Sequence, residues 1–533
     1  YFNGIDLLVE LVAASYTSEI NAGEEVSQQV LKQEKEEHRL VEDIVRLPLK
    51  LPFPSLSLKE CTPNEITITE KVCGPDGNEE AIYWGEDYLC GRAISTYPII
   101  TVNRGTEHEM ARRDGDPICD RFVIQMLPRR TIAIVADGCN WGRKPKIAAQ
   151  RASDAFAEYL LEHHHEATTT HYVARLITRA FSLAHYNIIL GAEEIWDVGT
   201  TTLLGGLLVE LEEPLKEDRD GEIIECNWAY IWGCVGDCKG FHYSVRQDSF
   251  RDITSANRMG TQSSRDCGGR LGPATAEGSA DLRNFRIDLT PCEEGDIIIL
   301  VSDGVHDNLE PLQTGLSPIE VGEKDVEWEE IEAQRRAEIA ADYSIYLLTN
   351  LLKAKENGIP DEPIIPNHMP EAKQWKLKEL EVFSPNDPDD ETLTSDEISC
   401  SKIVHRLINH CIATNRNAAI WMQENPTKKL PKDYKLYPGK MDHTTCVALR
   451  VQHNDILQEK LNPKKPKNKT RKRLKRKLSQ SHGFKRKKVL SDDPECSSEY
   501  NSLEEARSAL SNLNEGSMEE EVILRSARRR KKR

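Results

Sequence analysis

Three apolar, strand-like runs in this chain begin or end on an aspartate, and no other feature constrains its fold as much. VADGCNWG (135–142) sets Asp137-Gly138 directly after the run TIAIVA, and ILVSDGVHDNL (299–309) repeats the layout with Asp303-Gly304. PGKMDHTTCVALRV (438–451) sets Asp442 directly before a third run. One Asp-Gly after a strand is an ordinary turn. Three such aspartates, 166 and 139 residues apart, point to carboxylates gathered at one edge of a sheet. An all-oxygen set of that kind suits a hard cation such as Mg²⁺ or Mn²⁺. Spacing by itself leaves the turn reading open.

The rest of the central region reads as more short β-rich runs: FVIQML (122–127), TTLLGGLLVEL (201–211), NWAYIWGCVGD (227–237) and DIIILVSDG (296–304). Two stretches of helical periodicity interrupt them. In 146–161, Ile147, Ala148, Ala152, Ala155, Phe156, Tyr159 and Leu160 fall on one face, and 171–190 forms the second. Strands, then helices, then strands again predict a layered α+β domain rather than a regular alternation. Residues 310–397 are acidic and broken by prolines, and read as an insertion holding one long helix over 326–356. A helix over 400–413 and a strand over 444–451 close the domain. The expected division is an N-terminal extension (1–80, with an amphipathic turn or two at 5–14), a domain at 81–452, and a tail at 453–533.

That tail differs in kind. The 533-residue chain carries a net charge of −18, yet between Pro463 and Lys488 there are 14 Lys or Arg and no acid. Such a run cannot bury itself and is expected to be disordered. Its clusters suit nuclear import or phosphate-backbone contacts, with a solubilising tail as the alternative. The expected location is nuclear or nucleo-cytoplasmic, and any nucleic-acid contact is expected through the tail only. With Phe484 its only aromatic, the run is not expected to recognise nucleic-acid sequence. No apolar run approaches the ~20 residues that span a bilayer, so no membrane partner is expected. The chain starts at Tyr1 without the pattern of a secretory signal. Its 14 cysteines include no CxxC pair, which suits a reducing compartment. Cys226, Cys234 and Cys238 lack the matched pair of a zinc site. His163, His164 and His165 are consecutive and face different ways, so a helix end is expected there rather than a metal site.

These segments, in this order, resemble the type-2C (PPM) family of metal-dependent Ser/Thr protein phosphatases, in particular its divergent phosphatase 2C-like members. VGTTTL (198–203) looks like the family's small-residue/Thr strand, VGDCKGF (235–241) like its Gly-Asp turn, and ICDRFVIQML (118–127) like its early acidic motif. The resemblance covers roughly 81–310 and 396–452. It implies an α-β-β-α sandwich of two mainly antiparallel sheets flanked by helices. It also implies two Mg²⁺ or Mn²⁺ ions sharing a water that attacks phosphorus, with no phosphoenzyme. By position, Asp137 would bridge the ions, with the Gly138 carbonyl on one of them. Asp303 and Asp442 would complete the other ion's shell, and Asp120 matches the early Asp. Asp237 matches a position that some members use for a further metal, or is a turn residue.

The departures are as informative. Cys119 stands where the family has Glu, Cys139 where it has a general-acid His, and His443 where an acid or Asn is usual. The phosphate-clamping Arg would fall at Gly115, with Arg112 and Arg113 nearby. One metal position thus reads as complete and the second as deficient. Cys139 lacks the glycine-cradled loop of a Cys-dependent phosphatase and is not read as a nucleophile. Two functions follow: a Mg/Mn-dependent phosphatase of phosphoproteins with a weakened site, or a pseudophosphatase that binds protein partners.

Overall fold

The computed structural model describes residues 51–61, 70–75, 81–83, 87–102, 110–219, 221–255, 266–276, 278–324, 326–353 and 398–454. The turn at 5–14 and the basic run at 463–488 lie outside them.

Several strands are apolar on both faces, as strands between two covering layers must be. In β6 (Arg121–Leu127), Phe122, Ile124 and Met126 point one way and Val123 and Leu127 the other. In β7 (Arg130–Ala136), Ala133 and Val135 oppose Ile132 and Ile134 in the same manner. This period of two feeds one set of side chains to the partner sheet and the other to helices. Sheet one runs β1 (Glu70–Gly74), β6, β7, β8 (Leu203–Arg219), β9 (Glu222–Val235), β12 (Arg286–Cys292). Sheet two runs β11 (Ser249–Asp252), β10 (Lys239–Ser244), β13 (Ile297–Val301), β14 (His443–Arg450), β3 (Leu89–Ser95), β2 (Ala81–Tyr83). Every pairing within them is antiparallel. A separate ribbon joins β4 (Ile99–Val102) to β5 (Met110–Arg113).

Between the sheets lies one apolar layer that includes Phe122, Trp228, Tyr230, Trp232, Leu300 and Val447. Helices α1 (Arg143–His163) and α2 (Thr170–Ile189) cover sheet one through Phe156, Leu160, Ile177 and Phe181. The Thr169 hydroxyl caps α2 by accepting from the Tyr172 N–H at 3.2 Å. The short helix α3 (Asp303–His306) follows β13, and α4 (Ala333–Lys353) and α5 (Cys400–Thr414) cover sheet two. Helix α6 (Arg416–Glu424) packs on the β4–β5 ribbon. The architecture is an α-β-β-α sandwich.

Three sequence expectations change. The helix expected over 326–356 begins at Ala333, with Trp328 on a separate 3₁₀ turn whose indole donates to the Leu316 carbonyl at 2.8 Å. Residues 310–353, read as insertion, supply Tyr343, Tyr346, Leu347 and Leu348 to the core over sheet two. The boundary set at 80 falls inside the sandwich, because β1 pairs with β6 and Phe53 and Leu58 join the core beneath the helices. No helix among the described residues is long and apolar enough to cross a membrane.

The histidine run illustrates how differently consecutive positions fare. His163 pairs with Glu166 at 2.8 Å, His165 is exposed, and His164 is fully buried with neither ring nitrogen hydrogen-bonded. Burial, aided by the nearby Arg130 guanidinium, pushes the His164 imidazole down to about 3. A folded value below the unfolded one means stability present above pH ~6.5 and lost progressively as pH falls below it. His164→Leu removes that loss. Its stability relative to wild type should therefore grow by roughly 2–3 kcal/mol between pH 7.5 and 4.5, measured by denaturant unfolding at both pH values.

Candidate active site

Strand register gathers the acidic residues at one end of the sandwich. Arg121 lies opposite Ala136, so Asp120 and Asp137 emerge side by side from sheet one. Val301 lies opposite Cys446, which brings Asp303 and Asp442 to the same end of sheet two. Leu203 opposite Val235 adds the Thr201-Thr202 pair and Asp237.

The loop bearing Asp137 is held by the threonines. The Thr201 hydroxyl and the Thr202 N–H donate to the Asp137 carbonyl at 2.7 and 2.8 Å. Position 138 must be glycine, since a Cβ there would lie 2.7 Å from the Pro145 carbonyl oxygen and 2.9 Å from the Cys119 Cβ. Asp442 is fixed through its backbone, which donates to and accepts from the Thr96 hydroxyl at 2.8 and 3.0 Å. The Asp237 carbonyl accepts from His306 Nε2 at 2.9 Å.

These carboxylates are close enough to oppose one another's ionisation. Asp120 is 1% exposed, and the Ser302 and Thr445 hydroxyls are the hydrogen-bonding groups that act on its carboxylate, neither at close geometry. Burial first, then the Asp442 and Asp303 charges, push it up to about 7, against the neighbouring Ser302 and Thr445 hydroxyls. Burial and the charges of Asp120, Asp303, Asp442 and Asp237 raise Asp137 well above the carboxylate range. Asp442 rises to about 6, from burial and Asp303, with Lys440 opposing. A buried acid among other acids, with no basic partner, is costly unless a cation or proton satisfies it. The oxygen-only character of Asp120, Asp137 and the Gly138 carbonyl fits a hard divalent ion.

Three substituted positions have other work. The Cys119 thiol donates to the Pro117 and Gly142 carbonyls at 3.3 Å each, and burial pushes it up to about 12. His443 accepts from the Cys119 N–H at its Nδ1 (3.2 Å) and meets the Gly115 carbonyl at its Nε2 (2.9 Å). Burial pushes that ring down to about 4, so it is a neutral tether between β14 and the 115–119 loop. The free Cys139 thiol hydrogen-bonds that of Cys267, and this contact, with burial, holds it well above the ordinary range. Arg113 pairs with Asp116 at 2.8 Å, and Arg112 is exposed beside Asp114 at 3.6 Å. The expected clamp residues are thus turned to local acids. Tyr97 meets the half-exposed Trp141 edge to face, with centroids 5.0 Å apart, forming an aromatic flank.

Sequence reasoning missed Lys440. Its ammonium lies 2.5 Å from Asp303 Oδ2, 2.9 Å from Asp307 Oδ2 and 3.2 Å from Asp442 Oδ2. Burial pulls it down, but the three carboxylates outweigh burial and hold it well above its usual value. The available signal was the Lys-x-Asp spacing, which in an extended segment sets both side chains on one face. Asp307 was also missed; it is buried within SDGVHDNL, and its other oxygen lies 3.2 Å from His306 Nδ1.

The chain is 30% identical over 236 residues to the PP2C-like domain-containing protein CG9801 of Drosophila melanogaster, which takes in 42% of this chain and 30% of that protein. The chain therefore matches under a third of that relative's length. No protein-family profile matches the chain. Among solved structures, the Mycobacterium tuberculosis serine/threonine phosphatase PstP/Ppp is 12% identical, covering 69% of this chain and all of that one (100%), with a TM-score of 0.32. The PstP catalytic domain with two manganese ions is 14% identical over 68% and 99% of the two chains, at 0.30.

Proposed function

We propose that this chain recognises phosphorylated protein segments at the carboxylate edge and, with Mg²⁺ or Mn²⁺ held there, hydrolyses phosphoserine or phosphothreonine only slowly. The supporting observation is the meeting of Asp120, Asp137, Asp303 and Asp442, drawn from four separate segments, with the Asp120 carboxylate buried and without a basic partner. Asp120, Asp137 and the Gly138 carbonyl would hold the ion. When bound, it would supply charge neutralisation at phosphoryl oxygens and a lowered water pKa. The chain's own residues position that edge: Thr201 and Thr202 fix the Asp137 backbone, and Thr96 fixes that of Asp442. Turnover is impaired because Cys119, Cys139 and His443 are committed to structural hydrogen bonds.

A second reading, binding without hydrolysis, is favoured by the Lys440 ammonium among three acids. Phosphate release from a phosphoserine peptide with and without Mn²⁺ separates the two. Slow hydrolysis that needs Mn²⁺ and falls at least about tenfold in Asp137→Asn is the expected result. Equal release by both proteins removes the hydrolase and leaves the binding protein.

A further inference from the structure

Asp303 and Asp442 read from sequence as the better-preserved half of a two-ion centre. The structure fills that half with a side chain. Lys440 Nζ stands within 3.2 Å of an oxygen from each of Asp303, Asp307 and Asp442. Its place is built rather than incidental. Asn308 pins residue 440 from both sides, accepting from its N–H at 3.0 Å and donating to its carbonyl at 3.0 Å. Asn308 is in turn held by Asn415 at 3.1 Å and by the Gly304 carbonyl at 2.7 Å. The lysine side chain is 24% exposed, so water screens the ion pairs only in part.

A divalent ion on the same oxygens would sit about 2.0–2.2 Å from them, inside the space the ammonium holds. Two cations cannot share it, and displacing the lysine would break three ion pairs at once. On the other side, Asp120 is buried, and the groups acting on it are the Ser302 and Thr445 hydroxyls and two further aspartates, none of them cationic. The two halves are therefore unlike: one already has its positive charge, the other does not.

We propose that Lys440 is a resident cation that takes the place of the divalent ion between Asp303 and Asp442, so that the centre binds at most one metal ion, on the Asp120–Asp137 side. This deepens the functional reading above, and rests on it only for the remaining ion. It accounts for why Asp303 and Asp442 persist beside a deficient partner half: they anchor the lysine and with it the junction of α3 and β14.

The test is Mn²⁺ stoichiometry on the full chain, by titration calorimetry and by metal analysis after desalting. Wild type should take up no more than one Mn²⁺. Asp120→Asn should weaken that binding by about tenfold or more, and Asp303→Asn by less than about threefold. Lys440→Met, nearly the same length without the charge, should gain one further ion. Two Mn²⁺ on wild type overturns the proposal, as does a tenfold loss in Asp303→Asn or a folded Lys440→Met that gains nothing. Should Lys440→Met fail to fold, the wild-type count and the Asp303→Asn comparison decide. Zero uptake by wild type with a gain in Lys440→Met upholds the lysine assignment and removes the metal-dependent reading of function instead.

Discussion

Alanine at position 304 is expected to cost the fold about 3 kcal/mol, at the upper end for overpacking. The helix α3 crosses the first residues of β14 so closely that a Cβ on Gly304 would lie 2.0 Å from the His443 carbonyl oxygen and 2.8 Å from Thr444 Oγ1. The obstructing atom is backbone and cannot rotate away. His443 is itself anchored at both ring nitrogens, to Cys119 and to Gly115, so relief by moving β14 would break those bonds too. Gly221→Ala provides the comparison. Its Cβ meets nothing within 4 Å, and its cost is only the left-handed backbone (φ 85°), about 1 kcal/mol. Denaturant midpoints of the two variants should differ clearly in that order. If Gly304→Ala were as stable as Gly221→Ala, the close crossing that carries Asp303 into the centre would be wrong.

How much of this was legible in the sequence depends on what each residue faces. The central strands could be read because both faces are buried, which leaves unbroken runs such as those of β7 and β13. Strand-end aspartates could be read because polar residues interrupt those runs abruptly. Edge strands were less legible: β2 has three residues and β11 four, too short for a period of two to show. The acidic segment misled for a related reason. Its composition is that of a solvated loop, yet the apolar stripe of α4 buries Tyr343, Leu347 and Leu351 against α5 and sheet two. Lys440 was passed over despite its Lys-x-Asp spacing, because a lysine two residues from an aspartate in an exposed-looking loop is ordinarily a solvated pair. Only the return of α3 and the clamp by Asn308 enclose it.

The slow hydrolysis we propose should depend steeply on the leaving group. Expelling the serine alkoxide from phosphoserine requires a proton at the leaving oxygen, and a positioned acid typically contributes about 10²–10⁴-fold. This chain has no such donor at the positions where one was sought. Cys139 is held well above the ordinary thiol range and directs its thiol to Cys267. His443 is pushed down to about 4 and spends both ring nitrogens on backbone groups, so at neutral pH its single ring proton, on Nε2, is held by the Gly115 carbonyl. An aryl phosphate, whose phenolate leaves without help, escapes the requirement. The kcat/KM for an aryl phosphate should therefore exceed that for a phosphoserine peptide by about 10²-fold or more, and the gap should narrow as substituents raise the phenol pKa. The controlling measurement is the slope of log kcat/KM against leaving-group pKa in Mn²⁺. A steep negative slope marks an uncatalysed departure. A flat slope would mean that a donor reaches the leaving oxygen after all, and the first group to examine would then be the Lys440 ammonium, since releasing it from Asp303 would put a proton donor at the same edge.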